Sequence, residues 1–123
     1  MPITFVVDRA KDRITATASG PVTFDDIRHH LETERAARGL TLPELIDGRG
    51  AVPVFTSDDV RRVVDWLRAA AKTSALGPTA VVVSSDVGYG MMRMLEILLD
   101  DTAEVRPFRT VDEANMWLTH AGA

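Results

Sequence analysis

Hydrophobic and polar positions along this chain follow two periods in alternation. Ile14, Ala16 and Ala18 alternate with Thr15, Thr17 and Ser19, which predicts a strand over 13–19 with one buried face. The apolar-rich stretch Ile3 to Asp8 predicts a strand before it, and the polar turn Arg9 to Asp12 makes the two an antiparallel hairpin. Gly20-Pro21 is expected to end the second strand. Thr23-Phe24-Asp25-Asp26 opens a helix, because Thr23 can cap it and acids suit its positive end. Phe24, Ile27 and Leu31 follow at helical spacing, and Gly39 closes the segment.

The second half repeats the alternation. Glu44 to Asp47 reads as a short strand ending at Gly48-Arg49-Gly50, with a loop over 51–55. Thr56-Ser57-Asp58-Asp59 starts a helix whose stripe is Val60, Val63, Val64, Leu67 and Ala71. Thr79 to Ser84 is a continuous apolar run between breakers, the mark of a central strand covered on both faces. Ser85 to Gly90 reads as a turn into a third helix bearing Met91, Met94, Leu95 and Leu98, with Met92 off the stripe and expected outside the core. Glu104 to Phe108 is the fifth strand. Thr110 and Glu113 form a capping box, and Ala114, Trp117 and Leu118 dock the last helix, which is expected to fray from His120. The order β-β-α-β-α-β-α-β-α implies one α/β domain over 1–123. Its sheet is expected in sequential order, mostly parallel with an antiparallel first strand, and its four helices mainly on one face. Val64, Leu67, Val82, Leu95 and Trp117 are the expected core.

Composition narrows the function classes. A chain of 123 residues, 46% hydrophobic, can build a core without metals or disulfides. The absence of cysteine excludes a disulfide framework, a thiolate nucleophile and a Cys-ligated metal. The net charge of −4 argues against a nucleic-acid partner, which asks for a basic face. No segment has the roughly 20 apolar residues that span a bilayer, and Met1-Pro2-Ile3-Thr4 does not begin a secretory signal. A cytoplasmic protein without membrane insertion is expected.

Catalytic motifs are absent: there is no G-x-S-x-G elbow, P-loop or H-E-x-x-H. The expectation is a non-enzyme with no catalytic residue, no cofactor and no metal site. Gly88-Tyr89-Gly90 lacks the third glycine of a dinucleotide fingerprint. His29 and His30 are adjacent on a helix, point about 100° apart, and read as a surface pair. Asp47, at the end of a parallel strand, is a candidate base, ligand or loop-organising carboxylate. Thr56 and Ser57 sit at a helix start, where a hydroxyl caps the helix or, as the functional reading, is modified or holds an anion. Ser84 and Ser85, before Gly88 and Gly90, form a second helix N-terminus on the same sheet edge, able to hold an anion or a small polar ligand. Tyr89 adds a hydroxyl or a stacking face.

Three blocks carry a resemblance: Val81-Val82-Val83-Ser84-Ser85-Asp86, Tyr89-Gly90-Met91-Met92-Arg93-Met94, and Val105 to Ala114 (V-R-P-F-R-T-V-D-E-A) followed by Trp117-Leu118. In these the chain resembles the SpoIIAA-like superfamily, the fold of STAS domains, and more narrowly small stand-alone bacterial STAS/SEC14-like domains. The resemblance implies a right-handed β/α superhelix and a regulatory role. Antagonist-type STAS domains carry an Asp-Ser-Ser-Gly-Leu-like motif, with one phosphorylated serine, where this chain reads Thr56-Ser57-Asp58-Asp59-Val60. A hydroxyl is kept, but the motif's glycine is not. SEC14-type proteins bind lipids in an apolar pocket and are much longer. The reading is a non-enzymatic STAS-like regulatory or protein-interaction module. The alternative is a protein binding a small molecule or lipid at the C-terminal ends of the strands. The half-covered sheet face, the edge at strand 1 and the Met-rich helix also suggest a homodimer.

Overall fold

The computed structural model describes residues 2–37 and 39–121. Five strands, β1 (Ile3–Asp8), β2 (Arg13–Val22), β3 (Glu44–Pro53), β4 (Thr79–Val82) and β5 (Val105–Phe108), form one sheet in the order β1-β2-β3-β4-β5. Only β1 runs antiparallel. The helices are α1 (Phe24–Ala36), α2 (Ser57–Ala71), α3 (Asp86–Leu98) and α4 (Val111–Ala121). The first three connect successive parallel strands, so they fall on one face, as a series of same-handed crossovers must.

The alternation of β2, β3 and β4 sorts the core into two layers. Val81, Val83 and Val105 face α1–α3 and pack with Val60, Val63, Val64, Leu67, Leu95 and Leu99. Leu45, Ala80 and Val82 point the other way, against Ala114 and Leu118 of α4. Because α4 packs on β3, β4 and β5, Thr4, Val6, Thr15 and Thr17 on the same face of β1 and β2 remain exposed. The half-covered face read from 13–19 is therefore real.

Several boundaries differ from the sequence reading, each for a local reason. The β2 strand does not stop at Gly20-Pro21. Gly20 takes φ +68 and the strand runs on to Val22. Pro21 is tolerated because β1 pairs only as far as Ala18, leaving β3 as the partner. Nor does Gly48-Arg49-Gly50 end β3. Thr17 pairs with Asp47 but Ser19 with Gly50, so β3 holds one extra residue there, a bulge. Beyond it, β2 and β3 continue as a two-stranded ribbon past the end of β4, and Val52 and Val54 are exposed on it, at 57% and 52%.

The start of α3 was placed too late. Ser85 caps it and Gly88 and Gly90 lie inside its first turns. Met92 packs on the core rather than outside it. Trp117 is half-buried, because it lies towards the β5 side, where Phe108 and the guanidinium of Arg106 cover it at 5.7 and 5.6 Å. The last helix holds through His120, whose Nδ1 lies 2.8 Å from the Met116 carbonyl; Gly122 and Ala123 lie outside the described residues.

Candidate functional site

Between the sheet and helices α1–α3 lies an apolar cavity of about 170 Å³. Its floor is small because the strands place Ala18, Gly48 and Ala51 there. Its N-terminal end, relative to the parallel strands, is sealed by Leu42 and Leu76 on neighbouring loops. Two glycines allow that seal. A Cβ on Gly39 would meet Ile14 Cδ1 at 2.6 Å, and one on Gly77 would overlap the Leu42 carbonyl. Ser84, Ser85 and the β2–β3 ribbon line the opposite end.

The sealed end carries the least expected feature of the molecule. His30 and Glu34 of α1 and Glu44 of β3 are 5%, 2% and 5% exposed, and all three line the cavity. His30 and Glu34 are four apart, so they share a helix face. Glu44 shares the inward face of β3 with Ile46. The His30 Nε2 lies 3.0 Å from Glu34 Oε1 and 2.9 Å from Glu44 Oε2. The ring is held by the edge of Phe5, with centroids 5.4 Å apart, and its other nitrogen, Nδ1, is buried without a partner among the described residues.

Burial opposes charge on His30, yet the hydrogen bonds and charges of Glu34 and Glu44 outweigh it and raise the imidazole to about 9. Burial also raises the Glu44 carboxyl, against the lowering pull of His30, and the neighbouring Glu34 adds to the rise, to about 8. Both shifts point the same way: the cluster holds its protons to higher pH than the separate groups would in water. The reading of His29 and His30 as a surface pair is thus half wrong. His29 is exposed, but His30 falls on the stripe of Ile27, Leu31 and Glu34 that faces the sheet. That register was visible in the sequence; the partner Glu44 was not, because it comes from another element.

The residues singled out from sequence fall into two places. Thr56 caps α2, accepting from the Asp59 N–H at 3.2 Å, while the Asp59 carboxylate accepts from the Thr56 N–H. Ser57 is the first helical residue, exposed, and not the cap. The others gather at the C-terminal ends of β3 and β4. Asp47 accepts from Arg49 Nε and Nη2 at 2.9 and 2.8 Å, and these bonds hold its carboxyl below the usual range despite partial burial. It pins the bulge, the loop-organising role among its candidates. The Ser84 hydroxyl donates to the Arg49 carbonyl at 2.8 Å, and Ser85 caps α3. Arg109 donates to Asp86 at 2.8 Å and lies 4.5 Å over the Tyr89 ring. Tyr89 thus offers its face to a neighbour already present.

A search of solved structures returns a protein of Shewanella loihica, described as an uncharacterised protein of the DUF3478 family with a SpoIIAA-like fold. The two chains are 19% identical with a TM-score of 0.59, over 94% of this chain and 93% of the other. The fold is SpoIIAA-like. No family model matches the sequence, and no curated protein matches it. Within the SpoIIAA-like frame the mixed five-stranded sheet and four helices agree with the sequence resemblance stated above. Among the described residues no helix is long and apolar enough to cross a membrane.

Proposed function

We propose that this SpoIIAA-like chain is a non-enzymatic binding module that receives a small, mainly apolar molecule in the cavity between its sheet and helices α1–α3. The observation that carries this reading is the unfilled volume itself. Cores are packed to crystal density, with few voids larger than a water molecule. An engineered apolar cavity of about 150 Å³ stays dry and takes up benzene, so 170 Å³ accommodates a ligand of that size or slightly larger. The proposed ligand differs in place from the sequence expectation: it lies under the strands' inward face and reaches the C-terminal edge at one end, where Ser84, Ser85 and the β2–β3 ribbon line the cavity.

The test uses benzene and toluene as probes in thermal unfolding. Both are expected to raise Tm in a concentration-dependent way. Ala18→Leu, which places a larger side chain on the cavity floor, is expected to abolish the shift. Probes that leave Tm unchanged, or that act equally on Ala18→Leu, would remove the cavity as a binding site.

A second reading, the protein-interaction module, rests on a different surface. Val52 and Val54 on the β2–β3 ribbon and Val87 in the first turn of α3 are exposed large apolar side chains. All three belong to the C-terminal end of the sheet. A protein partner at that end would cover them. Replacing all three with Ser and finding partner capture from the native host unchanged would dismiss that surface.

A further inference from the structure

We infer that His30, Glu34 and Glu44 form a divalent metal site of the transition-metal class, with open coordination positions facing the cavity. The three ligand atoms lie within 4.8 Å of one another in a buried position. The two separations from His30 Nε2, 3.0 and 2.9 Å, are hydrogen-bond distances that also fall within the range that ligands round one ion take. Metal bonds of about 2.0–2.2 Å at right-angled to tetrahedral geometry place neighbouring ligand atoms about 2.8–3.6 Å apart.

Charge leads to the same conclusion. Two carboxyl groups and one imidazole meet in an apolar wall, where a net charge is strongly disfavoured. With both carboxyls ionised and the ring neutral, a divalent cation cancels the charge. The elements suit it as well. A pair four apart on α1 presents two ligands from one helix face, and a strand residue supplies the third. An imidazole with two carboxylates is a borderline donor set, suited to zinc, manganese or iron(II) rather than to calcium or a soft ion. Three protein ligands beside a cavity leave the incomplete shell of a site that takes an exogenous ligand.

The other ring nitrogen bears on how tightly such a site would hold an ion. His30 is buried, lines the cavity and has no partner for Nδ1 among the described residues. Its orientation rests on the Phe5 ring instead of an outer hydrogen bond. Such an outer partner contributes roughly 10–100-fold to affinity, so the site is expected to bind more weakly than one whose histidine has it. The inference does not depend on the apolar ligand proposed above, since the metal needs only the sealed end of the cavity.

The chain has three histidines, so ring NMR of labelled histidine reads the site without any substitution. Chelator-treated protein is titrated with Zn²⁺. The expected result is that the His30 ring signals move and saturate at one ion per chain, while His29 and His120, both exposed, do not. Calorimetry in buffers of different ionisation enthalpy is expected to show proton release, and Glu34→Gln is expected to weaken binding at least about tenfold. Movement of His29 or His120 alone, or no movement of His30 at millimolar Zn²⁺, overturns the inference. Unchanged affinity in a folded Glu34→Gln variant does the same. Should that variant not fold, the wild-type His30 signal still decides.

Discussion

Raising the pH should destabilise the metal-free protein, and the cause is the buried cluster. The His30 imidazole, ordinarily near 6.5, is raised to about 9. Its stabilising effect is complete below the ordinary value and lost as pH rises through about 9. Glu44 is raised from its ordinary value to about 8. Between those values the folded chain holds a proton that the unfolded chain has released, so stability again falls as pH rises. The two signs agree. His30 alone, at ~1.4 kcal/mol per pH unit, is worth about 3 kcal/mol. The two groups share the same contacts, so their effects overlap, and the expected total between pH 6 and 9.5 is also about 3 kcal/mol. At 5% exposure for each, solvent screening reduces this little. Urea unfolding with chelator present measures it. With m of about 1–3 kcal/mol per molar, the midpoint should fall by roughly 1–3 M. Glu44→Gln removes one titrating group and should flatten the dependence. A wild-type midpoint that stays constant to pH 9.5, or an equal fall in Glu44→Gln, would show that the cluster does not titrate as described.

Other substitutions test the fold locally. Thr56→Ala should lose about 0.5–2 kcal/mol, since Thr56 is the cap, while Ser57→Ala should change stability by less than about 0.5 kcal/mol; the reverse order in urea unfolding would place the cap wrongly. Leu95→Ala should lose roughly 2–5 kcal/mol, because Leu95 is buried among Val60, Val64 and Val81; a loss under about 0.5 kcal/mol would mean α3 is not packed there. Gly77→Ala should be among the most damaging single-carbon changes, as its Cβ meets the backbone of Thr41 and Leu42 and not a movable side chain; a variant melting within two degrees or so of wild type would contradict that.

Most of the fold was legible because it is written in periodicity. The Thr15/Thr17 alternation placed the wet face of β2, and the unbroken run from Thr79 identified a strand covered on both sides. The misplaced ends share one cause. Gly20-Pro21 and Gly48-Arg49-Gly50 read as strand ends and Gly88-Tyr89-Gly90 as a turn before a helix, yet each stands within or across an element. The first lies where a strand has lost one neighbour. The second absorbs a bulge pinned by Asp47 and Arg49, and the third begins a helix already capped by Ser85. Glycine and proline signal a special backbone or a missing neighbour, and only tertiary pairing distinguishes these from an end. The hydroxyl-bearing candidates at the sheet edge were found because capping has a local signature. The cluster at the sealed end was not, because its meaning depends on Glu44 crossing from β3 to α1, across fourteen residues of sequence.

Three costly features meet at one end of this small domain. Two carboxyl groups share a buried imidazole, one ring nitrogen has no partner among the described residues, and an apolar cavity lies beside them. Each alone has an ordinary account: a charge network, a solvated ring nitrogen, a packing defect. Their conjunction does not, because a domain with net stability of the usual 5–15 kcal/mol has no reason to concentrate its losses in one place. Small substitutions would remove them, such as a leucine at Ala18 to fill the floor or an aliphatic side chain at Glu44 to remove the charge. Buried ion clusters are often no worse when replaced by apolar side chains, so stability alone does not explain these residues. Local departures from good packing and good pairing gather at functional sites. In this chain they gather around His30, away from Ser57, where the family comparison directed attention. The first experiments therefore belong at the sealed end of the cavity.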